Sequence, residues 1–241
     1  MKAFLSGLLL FTGGLALTAH ADEPVKAVAE QPRWNTIAEC QMVVLPQQAA
    51  LALLPELNDD ARIENAFARL QTMIEKGEAQ LAGNLLAKGR DGEKSHAESI
   101  EEMRYPTSFD PPKLPDKLPA EKPLEFLKAW PLVAAKPMEF ETRAVGTSVE
   151  FESRAAADGK WLDVSVVAAH VRFLRWTKFE IGVLPTGQHL TAEQPCFHTI
   201  RNATSLRLRN GQRVLLGFHK LPEPSATFEL ILLRVSATKA N

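Results

Sequence analysis

The residues that could do chemistry are few and scattered. Cys40 and Cys196 are the two cysteines. An oxidising compartment would permit a disulfide between them; two separate buried thiols, acting as small hydrophobes, is the other reading open at this level. Neither sits in a C-x-x-C pair, so no zinc site is expected. His96, His170, His189, His198 and His219 lie outside H-E-x-x-H and every other metal-ligand spacing. Cys196 and His198 are two apart, which puts both on one face of a strand without further ligands beside them. His170 is out of phase with Asp163 and Ser165, so these three do not share a strand face. There is no G-x-S-x-G nucleophile turn, no phosphate loop and no dinucleotide fingerprint. No cofactor and no metal are expected, and the chain reads as a non-enzyme. Asn202-Ala203-Thr204 has the glycosylation pattern, to which no role is given.

With chemistry absent, charge and composition bound the partners. The chain has 241 residues, 45% hydrophobic and 24% charged, an ordinary globular balance. Lys and Arg total 28 against 29 Asp and Glu, a net charge of −1. So even a balance gives no overall field for gripping nucleic acid or an anionic membrane. No nucleic-acid partner is expected. After the N-terminus no run of 18 uncharged apolar residues occurs, which argues against a helical span. One basic stretch is local: Arg201, Arg207, Arg209 and Arg213. A solvated strand face is the default for it, and an anionic partner or neighbouring subunit is the sharper option.

The first residues read as an address. Lys2 precedes the uncharged stretch from Ala3 to Ala19, with Leu8-Leu9-Leu10-Phe11 its most apolar part, and Ala19-His20-Ala21 has the small residues of a cleavage site. The expectation is a secretory signal peptide over 1–21, cut after Ala21, and an exported product in the periplasm or at the outer membrane. Residues 22–59 are expected to be an N-terminal extension with one short helix, its stretch 22–38 polar and loosely ordered. Residues 60–241 are expected to form one β domain, interrupted by a proline-rich connection at 106–137 that holds 8 of the 16 prolines.

Two helices lead. Pro46 suits the first position of a helix over 46–54 that Pro55 stops. A second helix, capped by Asp59 or Asp60, is expected to run to about Lys76 with Gly77 as its stop; Ile63, Ala66, Phe67, Leu70, Met73 and Ile74 make one apolar stripe. The period then turns strand-like. Segments 79–88 and 93–104 flank Asp91-Gly92, segments 145–156 and 160–175 flank Asp158-Gly159, and segments 204–209 and 212–218 flank Asn210-Gly211. These dipeptides tolerate the positive φ of tight turns, so three antiparallel hairpins are expected. Leu162, Val164, Val166 and Ala168 share one face. A phase shift near Gly146 suggests a β-bulge. The last strand, 227–235, is apolar on both faces and should be central, with Glu229 its only acidic residue. The fold class is mainly β (α+β): antiparallel hairpins preceded by two helices.

The order of these elements resembles the secretin domain of type II and III secretion and type IV pilus outer-membrane channels. Four stretches carry the likeness: the Asp91-Gly92 turn with the Tyr105-Pro106 exit; Phe140 to Phe151 with Val145-Gly146; Thr199 to Gly217 around Asn210-Gly211; and Glu229-Leu230-Ile231-Leu232-Leu233. The likeness covers roughly residues 60–236. A short, divergent member is implied, without the family's upstream N-domains or its gate and lip segment, since Phe218 to Pro224 leads almost directly to the last strand. The resemblance implies a structural or assembly component of the cell envelope, possible in either of two forms: self-association or a protein partner engaged through strand edges, with outer-membrane association open; or a monomeric periplasmic binding module with no transport role.

Overall fold

The computed structural model describes residues 34–110, 120–129, 136–183, 187, 189–222 and 226–240. The expected signal peptide over 1–21, the extension up to residue 33, and the proline-rich stretches 111–119 and 130–135 lie outside the described residues. The elements in order are β1 (Trp34–Pro46), α1 (Gln47–Leu57), α2 (Ile63–Glu75), β2 (Gln80–Arg90), β3 (Lys94–Pro106), β4 (Phe109–Asp110), α3 (Pro123–Ala129), β5 (Lys136–Pro137), β6 (Phe140–Ala155), β7 (Trp161–Val183), β8 (His189–Arg209), β9 (Arg213–Lys220) and β10 (Thr227–Lys239).

Two four-stranded sheets form the body. One has the order β2-β1-β10-β9, the other β3-β6-β7-β8, and every pairing within them is antiparallel. Strand alternation decides what each face meets. Ala38, Cys40, Met42 and Val44 of β1, with Ile231, Leu233, Val235 and Ala237 of β10, face Val149, Phe151, Leu162, Val164, Val166, Ala168, Ile200 and Leu208 of the second sheet. The opposite face of the first sheet, Val43, Leu45, Leu230 and Leu232, is covered by Ala50, Leu53 and Leu57 of α1 and Ile63, Ala66 and Leu70 of α2. β1 and β10 are therefore apolar on both faces, as central strands buried on both sides must be.

That burial pattern corrects the reading of the N-terminal part. Residues 34–38 belong to β1 rather than to a loose lead-in, and β1 is paired along its length with β10, from Trp34 opposite Lys239 to Pro46 opposite Thr227. The boundary at 59/60 accordingly divides nothing: Pro32–Asn241 is one compact unit. Pro46 ends β1 and caps α1, and Pro55 lies inside the last turn of α1 instead of stopping it. Near a helix end the carbonyl that proline leaves unpaired is a small loss. Gly77 follows α2 with φ +75°, a left-handed position that ends the helix.

The turns are also corrected. β6 and β7 pair across Asp158-Gly159, from Ala155 opposite Leu162. β2 and β3 do not pair: β2 lies beside β1 and β3 beside β6. β8 and β9 likewise belong to different sheets. Asp91-Gly92 and Asn210-Gly211 are thus corners that carry the chain from one sheet to the other. The same positive φ serves both uses, +75° at Gly92 and +80° at Gly211, because a tight reversal needs it whether or not the strands stay in one plane. β7 and β8 also pair with each other, from Trp161 opposite Arg209 to Val183 opposite His189, with register shifts at Phe173/Arg175 and Glu180/Gly182. No register shift occurs at Gly146. That residue has φ +133°, and a Cβ there would collide with the Ser99 carbonyl. It marks the point where β6 parts from β7, not a bulge.

All three turns gather at one end of the sandwich, here the turn pole. The Asp91 N–H donates to the Trp34 carbonyl (3.0 Å) and the Gly92 N–H to the Ser153 carbonyl (2.8 Å). Asp91 Oδ1 accepts from the Ala155 N–H at 2.6 Å. Asn210 Nδ2 donates to the carbonyls of Gly159 (3.0 Å) and Ala237 (2.8 Å), and its Oδ1 accepts from the Ala237 N–H (2.8 Å). The Trp34 ring fills the space that a Cβ on Gly159 would need.

Candidate functional site

The far end of the sandwich, opposite the turn pole, holds a buried polar cluster. Glu229 occupies the interior row of β10 that Ile231 and Leu233 continue, and His170 continues the row of Val166 and Ala168 on β7. Strand periodicity sends both inward. His170 is 7% exposed and Glu229 0%. His170 Nδ1 stands 2.9 Å from both Glu229 carboxylate oxygens, a contact that crosses from one sheet to the other. On the next strand, His219 is the Cα partner of Glu229. Its Nε2 lies 2.9 Å from Asn202 Oδ1, and Asn202 Nδ2 donates to the Leu216 carbonyl at 2.6 Å. Gly217 has no room for a Cβ against Asn202 and His219. The His170–Glu229 contact ties the two sheets to each other across the interior.

Beyond Gly146 the second sheet divides into two ribbons. β7 and β8 continue as a pair through Val183 opposite His189, without β6. β3 and β6 continue as a pair through Pro106 opposite Phe140. The second ribbon lies against the first: Tyr105 and Phe197 have ring centroids 5.8 Å apart, the Arg143 guanidinium is 5.2 Å from the Phe197 ring centre, and Arg143 Nη2 donates to Thr199 Oγ1 at 3.0 Å. Farther out the β7–β8 ribbon exposes Trp176, Phe179, Ile181 and Val183, with Lys178–Glu193 and His189–Glu180 ion pairs at 3.3 and 3.0 Å between them.

Of the four arginines, Arg201, Arg207 and Arg209 share the outer face of β8. They face solvent beside a shallow groove of about 540 Å³ lined by Glu152, Arg154, Asp163, Ser165, Ser205 and Arg207. Arg207 pairs with Asp163 at 3.6 Å. Arg213 is not part of that face. The corner at Asn210-Gly211 moves it to the other sheet, where it is 5% exposed, its guanidinium 3.5 Å from the Phe67 ring centre and 3.5 Å from Glu64. Burial pulls that guanidinium below the usual arginine value.

The cysteines are both free. Cys40 lies in the sandwich core between Leu85 and Leu233, and Cys196 lies on the β7–β8 ribbon, its Sγ 3.2 Å from Thr177 Oγ1. The disulfide reading is therefore replaced by two separate thiols, because the two residues occupy different sheets and different parts of the fold. Burial pushes the Cys40 thiol up to about 12. His198 keeps a buried Nδ1 without a hydrogen-bond partner. Among the described residues no group of three His, Cys, Asp or Glu side chains could hold a metal ion, and no helix is long and apolar enough to cross a membrane.

No family model matches the chain, and no curated protein matches it. Among the solved structures that it resembles are secretins. It is similar to the InvG secretin domain β-barrel from the Salmonella SPI-1 injectisome, at 8% identity and a TM-score of 0.36 over 87% of this chain and 62% of that one. It is similar to the V. cholerae type IV competence pilus secretin PilQ, at 11% identity and 0.35, over 86% and 58%. A third is the ETEC pilotin–secretin AspS–GspD complex, at 9% and 0.36, over 88% and 50%. The chain spans less than two thirds of the length of each.

Proposed function

We propose that the protein is an exported, non-enzymatic structural component of the bacterial cell envelope, which assembles through strand ribbons with copies of itself or with a protein partner. The observation that supports this most is the β7–β8 ribbon. It continues from Arg172 to Val183 with no third strand paired to it among the described residues, and carries Trp176, Phe179, Ile181 and Val183 into solvent. Exposed strand edges with apolar side chains are templates for pairing with another chain. The sandwich interior, by contrast, is lined by buried apolar side chains of both sheets. Export rests on the leader at 1–21. Association with secretion or pilus machinery at the outer membrane follows the resemblance.

A monomeric periplasmic binding module is the second reading, and the groove beside Arg207 is what favours it. Light scattering on the purified chain, in buffer and in detergent, separates the two. The assembly reading expects a mass several times that of the 26.6 kDa chain. It also expects a monomer when residues 176–194 are replaced by an Asn-Gly turn, with the thermal transition of the sandwich kept. A full chain that stays monomeric in both media refutes it.

A further inference from the structure

The even charge of the whole chain conceals an uneven distribution. Arg90, Lys160, Arg209 and Lys239 are all exposed, and the sheet registers bring them to the turn pole: Lys239 opposite Trp34, Arg90 opposite Asn35 and Arg209 opposite Trp161, with Lys160 in the turn before Trp161. Among the described residues no carboxylate forms an ion pair with any of these four. Arg154 and Arg207 stand beside them, paired loosely with Glu152 at 3.2 Å and Asp163 at 3.6 Å. The carboxylates of the pole are otherwise occupied by backbone: Asp91 accepts from the Ala155 N–H and Asp158 from the Lys160 N–H at 3.0 Å. Among the described carboxylates of the pole, Glu93 is the one without an ion pair or side-chain hydrogen bond.

Two tryptophans lie among these cations. Trp34 is half-buried over Gly159, and Trp161 is 38% exposed. Arg207 and Arg209 stand 5.9 and 5.5 Å from the centre of the Trp161 ring. Unpaired Lys and Arg are drawn to anionic headgroups, and the amphipathic indole ring favours the headgroup level of a bilayer.

We infer that the turn pole is a docking surface for an anionic lipid bilayer, held by Arg90, Lys160, Arg209 and Lys239 with Trp161 at the headgroup level. This inference goes beyond the assembly reading and stands without it. Docking there directs the β7–β8 ribbon away from the bilayer, since the ribbon leaves the opposite end of the sandwich.

The test is co-sedimentation of the full chain with phosphatidylcholine vesicles and with vesicles carrying about 30% phosphatidylglycerol, at about 0.1 M and 0.5 M salt. The neutral vesicles report whatever the apolar leader contributes. The expected result is tighter binding to the anionic vesicles, lost at high salt. The triple variant K160E/R209E/K239E should bind them about 100-fold more weakly, since each cation near an anionic surface contributes about fivefold. The control K76E/K136E/K220E has the same net charge, with its reversals away from the pole, and should stay within about threefold of the parent. Trp161→Phe should remove most of the fluorescence blue shift on binding. Equal loss in both triple variants, equal binding to neutral and anionic vesicles, or binding to soluble polyglutamate without binding to vesicles would each overturn the inference. The last result would point to an acidic protein instead.

Discussion

Replacing His170 with phenylalanine leaves Glu229 as an uncompensated carboxylate in the middle of the sandwich. The contact it loses is unusually complete: one ring nitrogen 2.9 Å from both oxygens, with Glu229 fully enclosed. His219, the next group at hand, is already engaged by Asn202. Breaking such a buried pair on one side costs about 3–5 kcal/mol, whereas removing both partners in favour of packed apolar groups is often neutral or better. For a body of this size each kcal/mol moves the melting temperature by about 2–4 °C. His170→Phe should therefore lower it by roughly 6–20 °C. Glu229→Leu alone should cost less, since it leaves no buried carboxylate and puts an apolar side chain in its place. The double variant H170F/E229L should return to within about 2 kcal/mol of the parent. Urea unfolding followed by circular dichroism reads all three, and the cycle isolates the coupling. If H170F costs under about 1 kcal/mol, or if the double variant loses the sum of the two singles, the pair is not the cross-sheet lock argued here.

Three further outcomes follow from the geometry. Cys40, with its thiol pushed up to about 12 by burial, should resist a thiol reagent at pH 8 in the native protein and react only on unfolding, while half-exposed Cys196 reacts natively; non-reducing mass spectrometry should find both thiols free. At the turn pole, Asn210→Ala removes three hydrogen bonds that tie Gly159 and Ala237 to the corner, and should cost about 2–4 kcal/mol in a denaturant melt. Gly159→Ala meets the Trp34 ring as well as an unfavourable φ of +66°, so it should cost more than Gly77→Ala, where φ is +75° but the space is open.

Much of the strand content was legible because alternation is local. The faces of Leu162, Val164, Val166 and Ala168, and the doubly apolar character of β10, follow from residue order alone. So did α2, from its single apolar stripe, and its stop at Gly77. β1 escaped notice because its buried row begins with the small or polar residues Thr36, Ala38 and Cys40, which make a weak alternating signal, and because Pro46 suggests the helix that follows more strongly than the strand that it ends. The resemblance to secretins rested on element order, which survives these errors because corners and hairpins carry the same dipeptides.

What tertiary structure decided is which strands meet. An Asp-Gly or Asn-Gly turn states that the chain reverses; it does not state whether the next strand joins the same sheet or crosses to another. That choice depends on which apolar faces find each other, and it moved Arg213 from the arginine row to a site beneath α2, parted Cys40 from Cys196, and brought His170 to Glu229 across 59 residues of chain. The charge of the pole has the same origin. A sum over the sequence is nearly zero because cations and carboxylates are counted without regard to place. Only folding sends four unpaired cations and two tryptophans to one end and ties the nearby carboxylates to backbone amides.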